Sequence, residues 1–238
     1  MKTKETVAIG WAHNGNVDTE FALSIMEIIR QKGMKVGSYY CVEGTGLLAK
    51  SRNIMVRHFL DNTTDDWLLM LDSDERISVP TFDLLCATAD AIERPVVAGL
   101  YFAALWDGPN LRPVPLIFEQ DENDAILPID NYPKDTVISV TAAGTGCLLL
   151  HRKAMQKIRD AHDENNQDWC WFQDGPIGNN RWLSEDLSFC SKLKQYDIPM
   201  VANTGAILQH HKSIWVDSVH HDAWLQHNQP GAGLDQLK

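Results

Sequence analysis

The run Trp67-Leu68-Leu69-Met70-Leu71, halted at Asp72-Ser73-Asp74-Glu75, constrains this chain more than any other feature. Consecutive apolar residues with no polar alternation describe a strand covered on both faces, as in a mainly parallel sheet flanked by helices. The flanking sequence agrees. Val7-Ala8-Ile9-Gly10-Trp11 reads as a first strand. Asp18 is placed to cap a helix with Phe21, Ile25, Ile28 and Ile29 on one face and Gly33 at its end. Lys35 to Val42 reads as a second strand. The Gly44-Thr45-Gly46 turn then leads into a helix carrying Leu48, Arg52, Met55 and Phe59 along one face. Pro80 marks the start of a third helix, continued by Leu84, Leu85, Thr88 and Ile92.

Val96 to Phe102 predicts a fourth strand. Residues 105–135, rich in proline, Asn and Asp, read as an excursion with one short strand at Pro115 to Phe118. Further strands are expected over Thr136 to Ala142 and Gly146 to Leu150, and a helix over about 152–162. An aromatic loop runs from Asp168 to Asn180, a helix begins at Ser184, and Ile198 to Leu208 gives one or two last strands. Strands alternating with helices predict an α/β fold with a mixed, mainly parallel central sheet.

At 238 residues, with 44% hydrophobic and 22% charged residues, the chain suits one globular domain. It lacks a run of about 18 apolar residues, so no membrane helix is expected. Met1 to Glu5 leads straight into the first strand without a signal-peptide core, and a cytoplasmic location is expected. Five scattered cysteines without a CxxC pair fit free thiols rather than a disulfide framework or a zinc knuckle. A net charge of −11 and the lack of a Lys/Arg run weigh against binding to a nucleic-acid backbone. The tail from Gln226, with Pro230-Gly231-Ala232-Gly233, reads as flexible.

Six places carry candidate chemistry. Asp72 and Asp74 lie just past the carboxyl end of a buried strand, where open α/β sheets bind ligands, and hard oxygen donors suit Mg²⁺ or Mn²⁺. Gly44 to Ser51 nearly matches both a dinucleotide GxGxxA turn and a P-loop, but Ala49 stands where the P-loop needs glycine. A strand–turn–helix junction explains the glycines equally well. Arg52-Asn53, near the start of the second helix, is placed to favour a diphosphate. Ser184-Glu185-Asp186 reads as a capped helix start, or as the source of a general base. His210-His211 and His220-His221 offer imidazole ligands, and Trp169-Cys170-Trp171-Phe172 offers either a stacking surface or core packing.

Taken in order, these pieces resemble the GT-A type of glycosyltransferase, particularly family-2-like enzymes including small ones encoded by bacteriophages. The resemblance rests on Ala8 to His13, Ala49 to Asn53, Trp67 to Glu75, Gly144 to Leu150, Ser184 to Cys190 and Ile207 to His210, and spans about residues 6–212. It implies one domain over 1–225, with a nucleotide-binding part over about 1–100, an acceptor-binding part over about 101–225, and a tail over 226–238. It implies a nucleotide-sugar site at Trp11, His13, Arg52, Asp72, Ser73, Gly144 and Gly146. Arg52 would contact the base or diphosphate. A Mn²⁺ or Mg²⁺ ion would be held by Asp74, with Asp72 and His210. Asp186 would be the catalytic base, with Glu185 as the fallback, and Trp171 and Phe172 would lie on the acceptor side.

The activity that the resemblance implies is transfer of a sugar from a nucleotide sugar, UDP-linked, to an acceptor hydroxyl. Two acceptors fit the phage likeness: a virion protein, or DNA carrying 5-hydroxymethyl pyrimidines. Three other functions stay open on the residues alone. They are a P-loop-like NTPase using Lys50 and Ser51, a nucleotidyltransferase, and a non-catalytic nucleotide- or sugar-binding module.

Overall fold

A computed structural model describes residues 5–44, 46–107, 110–123, 125–162, 170–176, 182–213 and 218. Thr45, Trp169, His220, His221 and the tail from Gln226 lie outside the described residues.

The elements follow the sequence pattern closely in the first hundred residues. Strand β1 (Val7–His13) leads into helix α1 (Thr19–Lys32), whose N-cap Asp18 accepts hydrogen bonds from the amides of Glu20 and Phe21. Phe21, Ile25 and Ile28 are its buried stripe. Gly33 does end this helix, but with φ −52°, so its left-handed freedom is not used. Strand β2 (Val36–Glu43), helix α2 (Leu48–Asn62), strand β3 (Trp67–Asp72), strand β4 (Glu75–Arg76) and helix α3 (Val79–Thr88) come next.

Helix α3 stops at Thr88 rather than running on to Ile92. The Asp90 carboxylate accepts from the amides of Ile92 and Glu93, and this local turn competes with another helical turn. Strand β5 (Val96–Leu100) ends before Tyr101. The chain then forms a hairpin, β6 (Phe102–Asp107) and β7 (Asn110–Pro115), where an irregular excursion was expected. This two-stranded ribbon lies outside the main sheet, where Pro113 and Pro115 are tolerated in a ladder.

Short strands β8 (Ile117–Gln120), β9 (Ile126–Pro128), β10 (Val137–Ser139) and β11 (Ala142–Ala143) precede the buried strand β12 (Cys147–His151). Helix α4 (Arg152–Ala161) and a small ribbon of β13 (Gly175–Pro176) and β14 (Trp182–Leu183) follow. Helix α5 (Glu185–Gln195), strand β15 (Met200–Ile207) and strand β16 (Gln209–His210) complete the described fold.

The seven-stranded sheet has the order β10-β15-β5-β12-β3-β1-β2. Strands β2, β1 and β3 are mutually parallel, as are β15 and β5. Strand β12 lies antiparallel between β3 and β5, which makes those two blocks run the same way, and β10 is an antiparallel edge. The sheet is thus mixed and mainly parallel. One core lies beneath α2, α4 and α5, and the other beneath α1 and α3. Trp67 to Leu71 are each 0% exposed, which explains why β3 tolerates no polar residue before Asp72. Among the described residues, no helix is long and apolar enough to cross a membrane.

Candidate functional site

The carboxyl ends of β1 and β3 open onto a cavity of about 720 Å³. His13, Asp72, Ser73 and Asp74 line it, together with Asp18, Ser51 and His211. Two glycines shape its rim. Gly46 has φ +78°, a conformation that disfavours other residues, and a side chain on Gly44 would come within 2.9 Å of the His13 carbonyl. Trp11 lies beside this cavity rather than in it. It packs edge-on to Phe21 and lines a neighbouring apolar cavity of about 400 Å³.

Arg52 sits under the cavity floor, with its side chain 3% exposed. Its Nη2 donates to both oxygens of Asp72, at 3.0 and 2.9 Å. Its Nη1 donates to Glu185 Oε1 at 2.6 Å and to Asp186 Oδ1 at 3.1 Å. Burial alone would lower the pKa of the guanidinium, but the three carboxylates outweigh it and push the value up. This corrects the expectation that Arg52 touches a base or diphosphate. Both terminal nitrogens are committed to protein carboxylates, and the group is shielded from the cavity.

Asp186 has a second partner. The Thr145 hydroxyl donates to the same oxygen, Oδ1, and Thr145 is fully buried. Thr145 is held there by its neighbours. The Gly146 amide donates to the Tyr101 hydroxyl at 2.8 Å, and the Asp72 amide donates to the Gly146 carbonyl at 2.8 Å. A side chain on Gly144 or Gly146 would collide with the Tyr101 ring or hydroxyl. The turn therefore needs both glycines, because the side chains of Tyr101, Leu116 and Asp72 crowd into that space.

A second cluster lies on the other side of Asp72. Strand β16 pairs antiparallel with β4 and places His210 opposite Glu75. His210 Nε2 lies 3.3 Å from Asp74 Oδ2 and 3.6 Å from Glu75 Oε1. One donor atom from each of Asp74, Glu75 and His210 falls within 4.8 Å of the others. Burial pushes the Glu75 carboxyl up to about 8. Burial would also raise Asp74, but hydrogen bonds to His210 and Lys212 hold it at about 2. Burial would lower His210, but its contacts with Asp74 and Glu75 raise it. The adjacent His211 turns elsewhere, with Nδ1 2.7 Å from Asp18 Oδ2 and its amide donating to the Asp74 carbonyl. Alternation along the extended chain sends the two imidazoles to different partners.

Trp171 and Phe172 are core residues, 0% and 1% exposed, which corrects the expectation of an acceptor-stacking surface. Trp171 Nε1 donates to the Met155 carbonyl, and Phe172 stacks on Phe189 at 4.5 Å. Asn53 fixes this loop: its Oδ1 accepts from the amides of Trp171 and Phe172, and its Nδ2 donates to the carbonyls of Phe172 and Ala49. Sequence inspection missed Thr145, Tyr101 and Glu75. Thr145 between two glycines was the one readable hint.

No protein-family model and no curated protein sequence matches this chain. Solved structures do. A197 from STIV superposes with a TM-score of 0.52 at 16% identity, covering 89% of this chain and 98% of that one. GalNAc-T7, solved with UDP, GalNAc and Mn²⁺, superposes with a TM-score of 0.51 at 11% identity. That match covers 90% of this chain and 45% of GalNAc-T7, so the present chain spans less than half of that protein. The shared architecture is the GT-A glycosyltransferase fold.

Proposed function

We propose that the protein is a cation-dependent glycosyltransferase that takes its sugar from a nucleoside-diphosphate donor bound in the cavity above β1 and β3. The observation that carries this reading is the junction at β3. There the Asp72-Ser73-Asp74 turn lines the cavity, is joined through Arg52 to the carboxylates of Glu185 and Asp186, and meets His210 through Asp74. The GT-A fold supports it, and so does the UDP and Mn²⁺ bound by GalNAc-T7.

The residues fit a divalent cation. His210 Nδ1 is bonded to the Phe102 carbonyl at 2.9 Å, so in the neutral ring Nε2 is the nitrogen that would offer its lone pair to an ion beside Asp74. Asp74 and His210 would hold Mn²⁺ or Mg²⁺, and the ion would offset negative charge on the departing diphosphate. His13, Ser73 and the Gly44–Gly46 rim would bind the nucleotide, and UDP is the proposed carrier. Asp72 would face the ribose, while Gly144 and Gly146 would let the donor sugar approach the backbone.

Asp186 would act as general base. Arg52 and Thr145 both donate to Oδ1, which leaves Oδ2 to receive the proton of an acceptor hydroxyl. Glu185, bonded to Arg52, is the alternative carboxylate for this role. The acceptor is proposed to be a virion protein or DNA carrying 5-hydroxymethyl pyrimidines, in the cytoplasm of a phage host.

The test is a screen of nucleotide sugars with Mn²⁺ or Mg²⁺ for release of nucleoside diphosphate, repeated with Asp74→Ala. Release by the parent chain and its loss in the variant are expected. Absence of donor binding and hydrolysis across the common sugars would overturn the reading. Consumption of nucleoside triphosphates instead would indicate an NTPase or nucleotidyltransferase. Offering hydroxymethylated DNA and protein acceptors in parallel separates the two acceptor classes.

A further inference from the structure

We infer that Glu75 is a third protein ligand of the cation, and that Asp72 is not a ligand. This rests on the cation-dependent reading above and moves the centre of the site from the Asp72–Asp74 pair to the β4–β16 ladder.

The first observation is the state of Glu75. Its side chain is 0% exposed, and neither carboxylate oxygen has a hydrogen-bond partner among the described residues. Buried polar groups in native proteins are almost always bonded, and a buried carboxylate is costly unless it is paired or bound to metal. Glu75 is thus a donor group held in place with nothing to donate to.

The second observation is where it points. The β4–β16 register sets Glu75 opposite His210, and Oε1 lies 3.6 Å from Nε2. Asp74, in the turn just before β4, reaches the same nitrogen at 3.3 Å. Ligand atoms each about 2.1 Å from one ion lie roughly 3.0–3.4 Å apart in octahedral or tetrahedral geometry. The imidazole nitrogen is already near that spacing from each carboxylate, and the two carboxylates offer oxygens within 4.8 Å of each other. The His210 ring is fixed from behind by the Phe102 carbonyl, so its Nε2 faces both carboxylates. Lys212, half-exposed and 3.0 Å from Asp74 Oδ2, supplies a positive charge that can swing aside for an ion.

Asp72 is in a different position. Both of its oxygens accept from buried Arg52 Nη2, and no atom of it belongs to the cluster. Recruiting it would mean pulling a carboxylate off a guanidinium that also secures Glu185 and Asp186. Two carboxylates and one imidazole make a mixed oxygen and nitrogen set, which suits Mn²⁺ better than Mg²⁺. Three protein ligands also leave open positions for diphosphate oxygens.

The experiment is a Mn²⁺ titration of the full chain without nucleotide, following the free-ion signal by electron paramagnetic resonance. One Mn²⁺ per chain is expected, bound more tightly than Mg²⁺ in competition. Glu75→Gln, Asp74→Asn and His210→Ala should each weaken binding by at least about tenfold, and Asp72→Asn by less than about threefold. Glu75→Gln keeps the shape of a side chain that lacks hydrogen bonds, so it should fold. Circular dichroism and thermal melting check each variant, and Glu75→Asp provides a second test of ligand reach.

Parent affinity for Mn²⁺ in Glu75→Gln would overturn the inference. So would equal losses in Asp72→Asn and Asp74→Asn, or no Mn²⁺ binding by the parent chain. The two proposals fail separately. Donor turnover with an unaffected Glu75→Gln site removes Glu75 alone, while Glu75-dependent Mn²⁺ binding without donor turnover removes the glycosyltransferase reading alone.

Discussion

Arg52 and Glu185, 133 positions apart in the chain, meet at 2.6 Å beneath the cavity floor. The contact ties the start of α5 to α2, and through Asp72 to the end of β3. Arg52→Met would leave three carboxylates facing one another without a counter-charge. Removing one partner of a buried ionic network costs about 3–5 kcal/mol. A urea midpoint lowered accordingly is expected, together with loss of donor turnover. Arg52→Lys keeps the charge, but one ammonium cannot reproduce the planar fork that serves both sides. It should recover part of the stability and little of the turnover. A midpoint unchanged in Arg52→Met would show that the network does not hold the site together.

Asn53 presents a purely structural counterpart. It is 1% exposed and spends both ends of its amide on backbone groups of the 171–172 loop and α2. Asn53→Ala would orphan the buried amides of Trp171 and Phe172. Each unsatisfied buried group costs about 1–3 kcal/mol. Lower stability is expected, with faster hydrogen exchange at those two amides. Exchange that stays slow would mean another acceptor holds the loop.

Thr145 tests the base assignment. Thr145→Val preserves volume but removes the hydroxyl that reaches Asp186 Oδ1. If Asp186 takes the acceptor proton, kcat should fall by about tenfold while the donor KM stays within about twofold. Thr145→Ser should restore kcat, since it keeps the donor group. A loss of thermal stability with kcat unchanged would assign Thr145 to packing alone.

The sheet was readable because its signals are local. Trp67 to Leu71 had to be buried on both sides, and Asp18 and Ser184 cap the helices they precede. The hairpin at Phe102–Asp107 and Asn110–Pro115 was hidden because its prolines look like loop residues until the ribbon is seen to stand off the sheet. The candidate site was half legible. Asp72 and Asp186 meet at Arg52, and Asp74 meets His210, but Asp186 and His210 lie more than a hundred positions from these partners. Glu75 was illegible for a different reason. After Asp72-Ser73-Asp74 it reads as one more surface acid, and only the β4–β16 pairing shows that it is buried. Trp171 and Phe172 resembled a stacking surface because their burial depends on Asn53.

The Glu75–His210 pair gives the chain a pH signature. Burial keeps Glu75 protonated to about 8 in the folded chain, against 4.5 as the ordinary value. Between those values the unfolded chain binds fewer protons, so unfolding free energy falls as pH rises, by at most about 1.4 kcal/mol per unit. His210, raised by its hydrogen bond with Asp74, acts with the same sign. Its contribution is complete below 6.5 and is lost as pH climbs through its folded value. Asp74, held at about 2, contributes stability above 3.8 that is lost only as pH drops through its folded value, outside this window. In EDTA, the melting temperature should therefore decline from pH 5 to pH 8.5, and Glu75→Gln should flatten the decline and melt higher near pH 8. Mn²⁺ requires the deprotonated forms of both groups, so its binding releases protons and its affinity should rise over the same range. With saturating Mn²⁺ the melting temperature should gain most at pH 8. Melting curves collected in EDTA and in Mn²⁺ across this range check both signs. A metal-free melting temperature that rises steadily from pH 5 to pH 8 would show that Glu75 is ionised and stabilised by groups other than a cation.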